Sequence, residues 1–336
     1  MTVEHVTTKL TSDCLRILGP FTQVDIGVTT DSDTIEVSHD PHFVTVAAST
    51  VNYEAPKPKR RRGFNWLNLL FGRQIPKIEL TLAVTVPVGT RLELFGQTGI
   101  VNIGDTKGKV ILNTGKGAEC TVGDIQDLQA KLGALTKLKV GGATTISIKT
   151  GRDVKVVLDH SDRVLEHLDA NLGDSSSLIC QTPCTAPEVQ FSPGATMSLA
   201  KLHGQHWAVR LPERARLFVS SGAVGKFDFV GEAHSHFNGN MLQVEDATLT
   251  LNGATIRHLG ITQSLKGTLT DSRVELSRQG TVELDLELSA TTIIGNAKVV
   301  TGRINLNNWS AAFFGQIDSA FADTCDGTSG IGTVLT

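Results

Sequence analysis

A chain of 336 residues, 40% hydrophobic and 19% charged, is too apolar for disorder and long enough to bury a large core. Its net charge of −3 lacks the basic excess of dedicated nucleic-acid binders, and its five scattered cysteines argue for a reducing compartment over a disulfide framework. No apolar run of about 18 residues predicts a spanning helix and no secretory pattern opens the chain, so the expected location is cytoplasmic, free or peripheral to a membrane.

Residues 1–53 read as short strands: Gln23-Val24-Asp25-Ile26, Thr34-Ile35-Glu36-Val37 and Phe43-Val44-Thr45-Val46 alternate with period 2. Residues 54–75 break the pattern as an insertion. Lys57, Lys59, Arg60, Arg61 and Arg62 form a basic run, followed at once by Phe64, Trp66, Leu67, Leu70 and Phe71. Strands resume at Lys77 and stop at Pro87, and Gly89 supplies a turn. From 91 to 176 the pattern is strand, glycine turn, strand. Ile125, Leu128 and Leu132 also lie at helical spacing, but the repeat runs across them and favours strands. Residues 176–215, with Pro183, Pro187 and Pro193, predict a connector. A second all-β region follows over 216–322, and residues 323–336 read as a flexible tail.

The repeat is carried by Gly104, Gly123 and Gly142, which recur every 19 residues, each after a short Val/Ile segment. Such a period with strand-like content predicts a coil whose turns stack on one another. The predicted fold is all-β: a parallel, single-stranded β-helix with rungs of about 19 residues, in one coil or two, bounded as 1–175 and 216–322. The three glycines are assigned to a corner that every rung turns with φ > 0.

The stretch from Leu80 to Gly104, with Val-Thr-Val-Pro-Val-Gly-Thr-Arg-Leu-Glu-Leu and then Gly-Ile-Val-Asn-Ile-Gly-Asp, resembles the adhesin-like β-helical domains. These are bacterial families also called auto-transporter adhesin head domains. The resemblance covers roughly 20–180 and implies a β-helix attached to membrane or envelope. A weaker likeness, in texture only, is to the bactofilins, which polymerise end to end.

The 54–75 segment is the leading docking candidate. Its cations would meet an anionic lipid surface while Phe64, Trp66 and Phe71 insert, or it would close one end of the coil as a lid. Asp105 and Asp124 follow the repeated glycines and would stack. His39/His42, His203/His206 and His234/His236 come in pairs, with no third ligand at metal spacing. Cys180 and Cys184 form a C-x3-C pair read as ordinary thiols near a turn. Glu283, Asp285 and Glu287 alternate with Val282, Leu284 and Leu286, which sets them on an outward face. Nucleophile-elbow, phosphate-loop and zinc-protease motifs do not occur in the sequence. The expectation is a non-catalytic scaffold that needs no cofactor and associates with itself or a protein partner through ends or flanks. The alternatives are a membrane-docked adhesin-like module and a carbohydrate-active β-helix enzyme.

Overall fold

The computed structural model describes residues 6–54, 80–277, 281–318, 322–326 and 328–333, and no helix occurs among them. Strands form where apolar and polar residues alternate. Ile100–Ile103, Glu119–Val122, Lys137–Val140 and Lys155–Leu158 each bury their second and fourth side chains and turn the first and third outward. They pair in parallel, each above the last, so Val101, Cys120, Leu138 and Val156 stack as one core column. The ladder continues through Ser177, Thr196, Arg216, His236, Thr255, Arg273, Thr292 and Ala311 to Gly330, in steps of 18 to 22 residues. The chain is therefore a parallel β-solenoid of about 12 turns, rising roughly 60 Å at about 4.8 Å per rung. Ile125, Leu128 and Leu132 are all buried, the latter two on the strand Asp127–Leu132, as the repeat predicts.

In the first half each turn has two faces. Opposite the column just described, a second parallel sheet runs through Arg91–Gln97, Lys109–Thr114, Asp127–Leu132, Thr145–Thr150, His167–Leu172 and Glu188–Phe191. From residue 196 the strands lengthen. Thr196–Leu211 and Arg216–Gly231 run 16 residues each and stay paired over nearly their whole length. The 176–215 stretch thus holds strands at Ser177–Cys180, Cys184–Thr185, Glu188–Phe191 and Thr196–Leu211, all in register with the ladder.

The first turn is interrupted. Gln23–Thr29 lies directly beneath Ile100–Ile103, so paired positions here are 77 residues apart in sequence instead of about 19. Part of the intervening chain closes the end. Thr81–Pro87 pairs in parallel under Gln23–Thr29; Ile35–His39 then pairs antiparallel to it, and Val6–Leu10 antiparallel to Ile35–His39. On the other face Val44–Ala47 and Thr50–Tyr53 form an antiparallel hairpin beneath Cys14–Leu18. Reversed strand direction, and the Lys9–Glu36 pair on the rim, blunt an edge that could otherwise template another chain.

One corner of the coil is left-handed in turn after turn. Gly117, Leu135, Asp153, Ser175, Gly194, Arg214, His234, Gly253, Asp271, Ala290 and Asn308 all have φ between +46° and +77°. Glycine is not required there, because the strain is offset by the ladder. The Gly117 amide donates to the Ala134 carbonyl on the next turn, Leu135 to Arg152 and Asp153 to Asp174. In most rungs the next residue is small and buried, including Ala118, Thr136, Ser176, Ala195, Ala215 and Ala254. In the last turns this column becomes a hydroxyl relay: Ser272 N–H donates to Thr291 Oγ1, Thr291 N–H to Ser310 Oγ, and Ser310 N–H to Ser329 Oγ.

The sequence expectation for Gly104, Gly123 and Gly142 is corrected in two ways. None of the three is left-handed, and the register step shortens from 19 to 18, so Gly141, not Gly142, stacks on Gly123. At Gly123 and Gly142 the missing side chain makes room for a carboxylate. A Cβ on Gly123 would lie 2.2 Å from Asp105 Oδ1, which accepts the Asp124 N–H at 2.8 Å. One rung on, Asp124 Oδ1 accepts the Gly142 N–H at 2.7 Å. Asp124→Ala leaves that buried amide without its acceptor and is expected to cost about 1–2 kcal/mol, whereas Asp124→Asn keeps the oxygen and stays within about 0.5 kcal/mol. Urea unfolding of the two variants separates these outcomes.

Candidate functional site

The sheet through Arg91–Gln97 and its partners carries two outward columns that border a shallow, solvent-open groove of 460 Å³. Register puts Phe95, Asn113, Lys131, Lys149, Asn171 and Gln190 in one column. Ile111, Gln129, Ser147 and Asp169 form the other. Each is at an outward position of an alternating strand, so the groove is a direct product of the period-2 pattern repeated on successive rungs.

Some of these groups satisfy one another. Ser147 Oγ donates to Asp169 Oδ2 at 3.2 Å, and Asn171 Nδ2 to Gln190 Oε1 at 3.0 Å. Asn113, Gln129, Lys131 and Lys149 have no side-chain hydrogen bond or ion pair among the described residues. Lys131 lies directly opposite Lys149 on adjacent strands, a like-charge arrangement that is unfavourable in a sheet. Some cations elsewhere on the coil meet an acid across one rung, although Lys155, opposite Lys137, does not among the described residues. Lys137 pairs with Glu119 at 2.7 Å, Lys139 with Asp159 at 2.8 Å and Arg210 with Glu232 at 2.6 Å.

Next to the groove, Glu93 is only 4% exposed although it faces outward. Arg16 reaches it at 2.7 Å and Arg91 at 2.5 Å. The hydrogen bond from Arg16, assisted by Arg91, holds the carboxyl below the usual glutamate range. The folded state therefore binds this proton less readily than the unfolded chain. The stability it contributes is present above the ordinary pKa of about 4.3 and lost as pH falls through the lowered value. The difference in urea midpoint between wild type and Glu93→Gln should thus be widest near neutrality and shrink below about pH 4.

A second depression, of 560 Å³, lies on the long strands, lined by Gly204, Gly225 and Lys226 among others. Its cation is already engaged, with Lys226 3.1 Å from Asp228.

The remaining sequence candidates disperse. Lys57, Lys59, Arg60, Arg61, Arg62, Phe64, Trp66, Leu67, Leu70 and Phe71 lie outside the described residues. His234 sits at the left-handed corner while His236 is inside a strand with its ring 6.0 Å from Phe218, so the two do not share a strand face. His206 contacts Asp228 at 2.8 Å. Among the described residues no three His, Cys, Asp or Glu side chains gather as a metal site. Cys180 and Cys184 are both buried in the core and hydrogen-bonded to each other; that contact and burial push the Cys184 thiol up and keep it protonated. Glu283, Asp285 and Glu287 are exposed along one strand, opposite Ser264, Lys266 and Thr268 on one side and Thr301, Arg303 and Asn305 on the other.

Sequence reading passed over the groove because its residues are ordinary one at a time. The signal emerges when the hexapeptides KVILNT, DLQAKL, TISIKT and HLDANL are set in register, which brings Asn113, Lys131, Lys149 and Asn171 into line.

No helix among the described residues is long and apolar enough to cross a membrane. No family model matches the chain, and no curated protein matches it. Among solved structures it is similar to a crystal structure named as a "putative adhesin" from Parabacteroides merdae, at 11% identity over 99% of this chain and 98% of that one, with a TM-score of 0.21. An overlap that loose carries nothing about the site.

Proposed function

We propose that this chain is a non-catalytic binding scaffold: a stiff coil that presents the groove over residues 95–190 to an extended partner. One observation carries the reading. The groove spans six rungs in register, and four of its polar side chains, Asn113, Gln129, Lys131 and Lys149, are unengaged among the described residues. A repeating surface with a rung-sized period suits a ligand that is itself repetitive. The adhesin-like motif of Leu80 to Gly104 agrees with a binding role.

The test is an array of glycans, peptides and nucleic acids probed with wild type and with Ser147→Trp, which fills the groove from an outward position. Ligand retained by wild type and lost with Ser147→Trp, at unchanged thermal unfolding, supports the reading. Turnover of a bound polymer, or retention indifferent to Ser147→Trp, overturns it.

A further inference from the structure

Resting on the scaffold reading, we infer that the groove takes an extended, carboxylate-bearing polysaccharide laid along the coil axis. The stacked pair Lys131 and Lys149 sets the charge of the ligand. Two ammonium groups one rung apart, with no acid paired to either among the described residues, repel each other and leave their donors unused. A carboxylate seated between them accepts from both and removes the repulsion.

The neighbours set the rest. Asn113 stands one rung below the lysines and Asn171 one rung above, with Gln129 and Ser147 alongside. Amides and hydroxyls both donate and accept, which matches the mixed donor–acceptor character of sugar hydroxyls. Phe95, half-buried at the end of the column, offers a ring to the apolar face of a pyranose. The rung spacing of about 4.8 Å is close to the advance of one sugar unit in an extended chain.

A nucleic acid fits less well. It needs a track of cations along its phosphates and aromatic platforms for its bases. This groove holds two cations and one aromatic ring, with the Asp169 carboxylate in the adjacent column, on a chain of net charge −3. A folded protein partner would need a central apolar or aromatic anchor, and the outward side chains at the centre of the groove, Gln129, Lys131, Ser147 and Lys149, are polar.

The experiment measures binding of the full chain to polygalacturonate, to its fully methyl-esterified form and to an RNA homopolymer, by calorimetry at low salt. Wild type should bind polygalacturonate, and the neutral ester more weakly. Lys131→Ala and Lys149→Ala should each cost about tenfold on polygalacturonate and little on the ester. Asn113→Ala should weaken both polymers. Lys155→Ala, on the opposite face, should change nothing; thermal unfolding of each variant checks the fold. No binding to polygalacturonate, equal loss with Lys155→Ala, or tighter binding of RNA overturns the assignment. If a neutral glycan binds and is lost with Ser147→Trp while the lysine variants are silent, the ligand class fails and the scaffold reading survives. If no ligand responds to Ser147→Trp, both fall.

Discussion

Phe227→Ala is expected to lower the unfolding free energy by about 3–5 kcal/mol. The side chain is fully buried and touches three other aromatic rings: Trp207 stacked at 5.4 Å, Phe237 at 5.3 Å and Phe229 at 5.6 Å. Those rings come from consecutive rungs, Thr196–Leu211, Arg216–Gly231 and His236–Asn238. Truncation therefore opens a void across three layers at once. Trp207 cannot readily collapse into it, because its Nε1 donates to the Pro187 carbonyl at 2.9 Å in a buried setting. Phe227→Leu fills most of the space and should cost far less, on the order of 1.5 kcal/mol. In a stacked coil each rung depends on its neighbours, so the loss should be local first. Hydrogen exchange in Phe227→Ala should quicken over rungs 196–252 before it quickens over 100–158. Uniform loss of protection, or a stability change under about 1 kcal/mol, contradicts this account.

How much of this was legible beforehand depends on the residue. Lys137-Leu138-Lys139-Val140 announces its strand, because outward lysines and inward aliphatics alternate without exception. The left-handed corner was not legible. Leu135, Arg214 and His234 occupy it as readily as glycine does, since an interstrand amide bond and the small buried residue that follows set the conformation there. Gly123 and Gly142 were visible, but their cause lay one turn away in the Asp105 and Asp124 carboxylates. Register was only partly legible, because the step reaches 22 residues between Lys155 and Ser177, where an added loop lengthens one turn without disturbing the strands. The break to 16-residue strands at Thr196 was hidden for a similar reason: the in/out alternation breaks near Leu202 inside a continuous strand and reads as a connector. The groove was the least visible feature. It is a relation between rungs, and Lys131 and Lys149 acquire meaning only when one is placed over the other.

Gly267→Ala should be among the most damaging single-methyl additions this chain can receive. Gly267 faces the core between Leu249 on one rung and Leu286 on the next, flanked by buried Leu265 and Leu269. Its φ of +153° lets the backbone press against the neighbouring strand, and a Cβ there would fall 1.9 Å from the Leu249 carbonyl oxygen and 2.9 Å from its carbon. Those atoms belong to the ladder and cannot swing aside as a side chain would. Relief requires either shifting the Leu249 peptide, which breaks interstrand hydrogen bonds, or moving φ, which displaces Leu265 and Leu269. Either path is expected to cost more than about 3 kcal/mol. Gly89 is the control. It also has positive φ, at +86°, but a Cβ meets nothing within 4 Å. Gly89→Ala therefore registers the conformational term alone, about 1 kcal/mol. Urea unfolding of the two variants side by side isolates the clash: a large loss for Gly267→Ala beside a small one for Gly89→Ala is the expected result. Equal losses would show that backbone conformation, not the approach of the Leu249 carbonyl, keeps glycine at position 267.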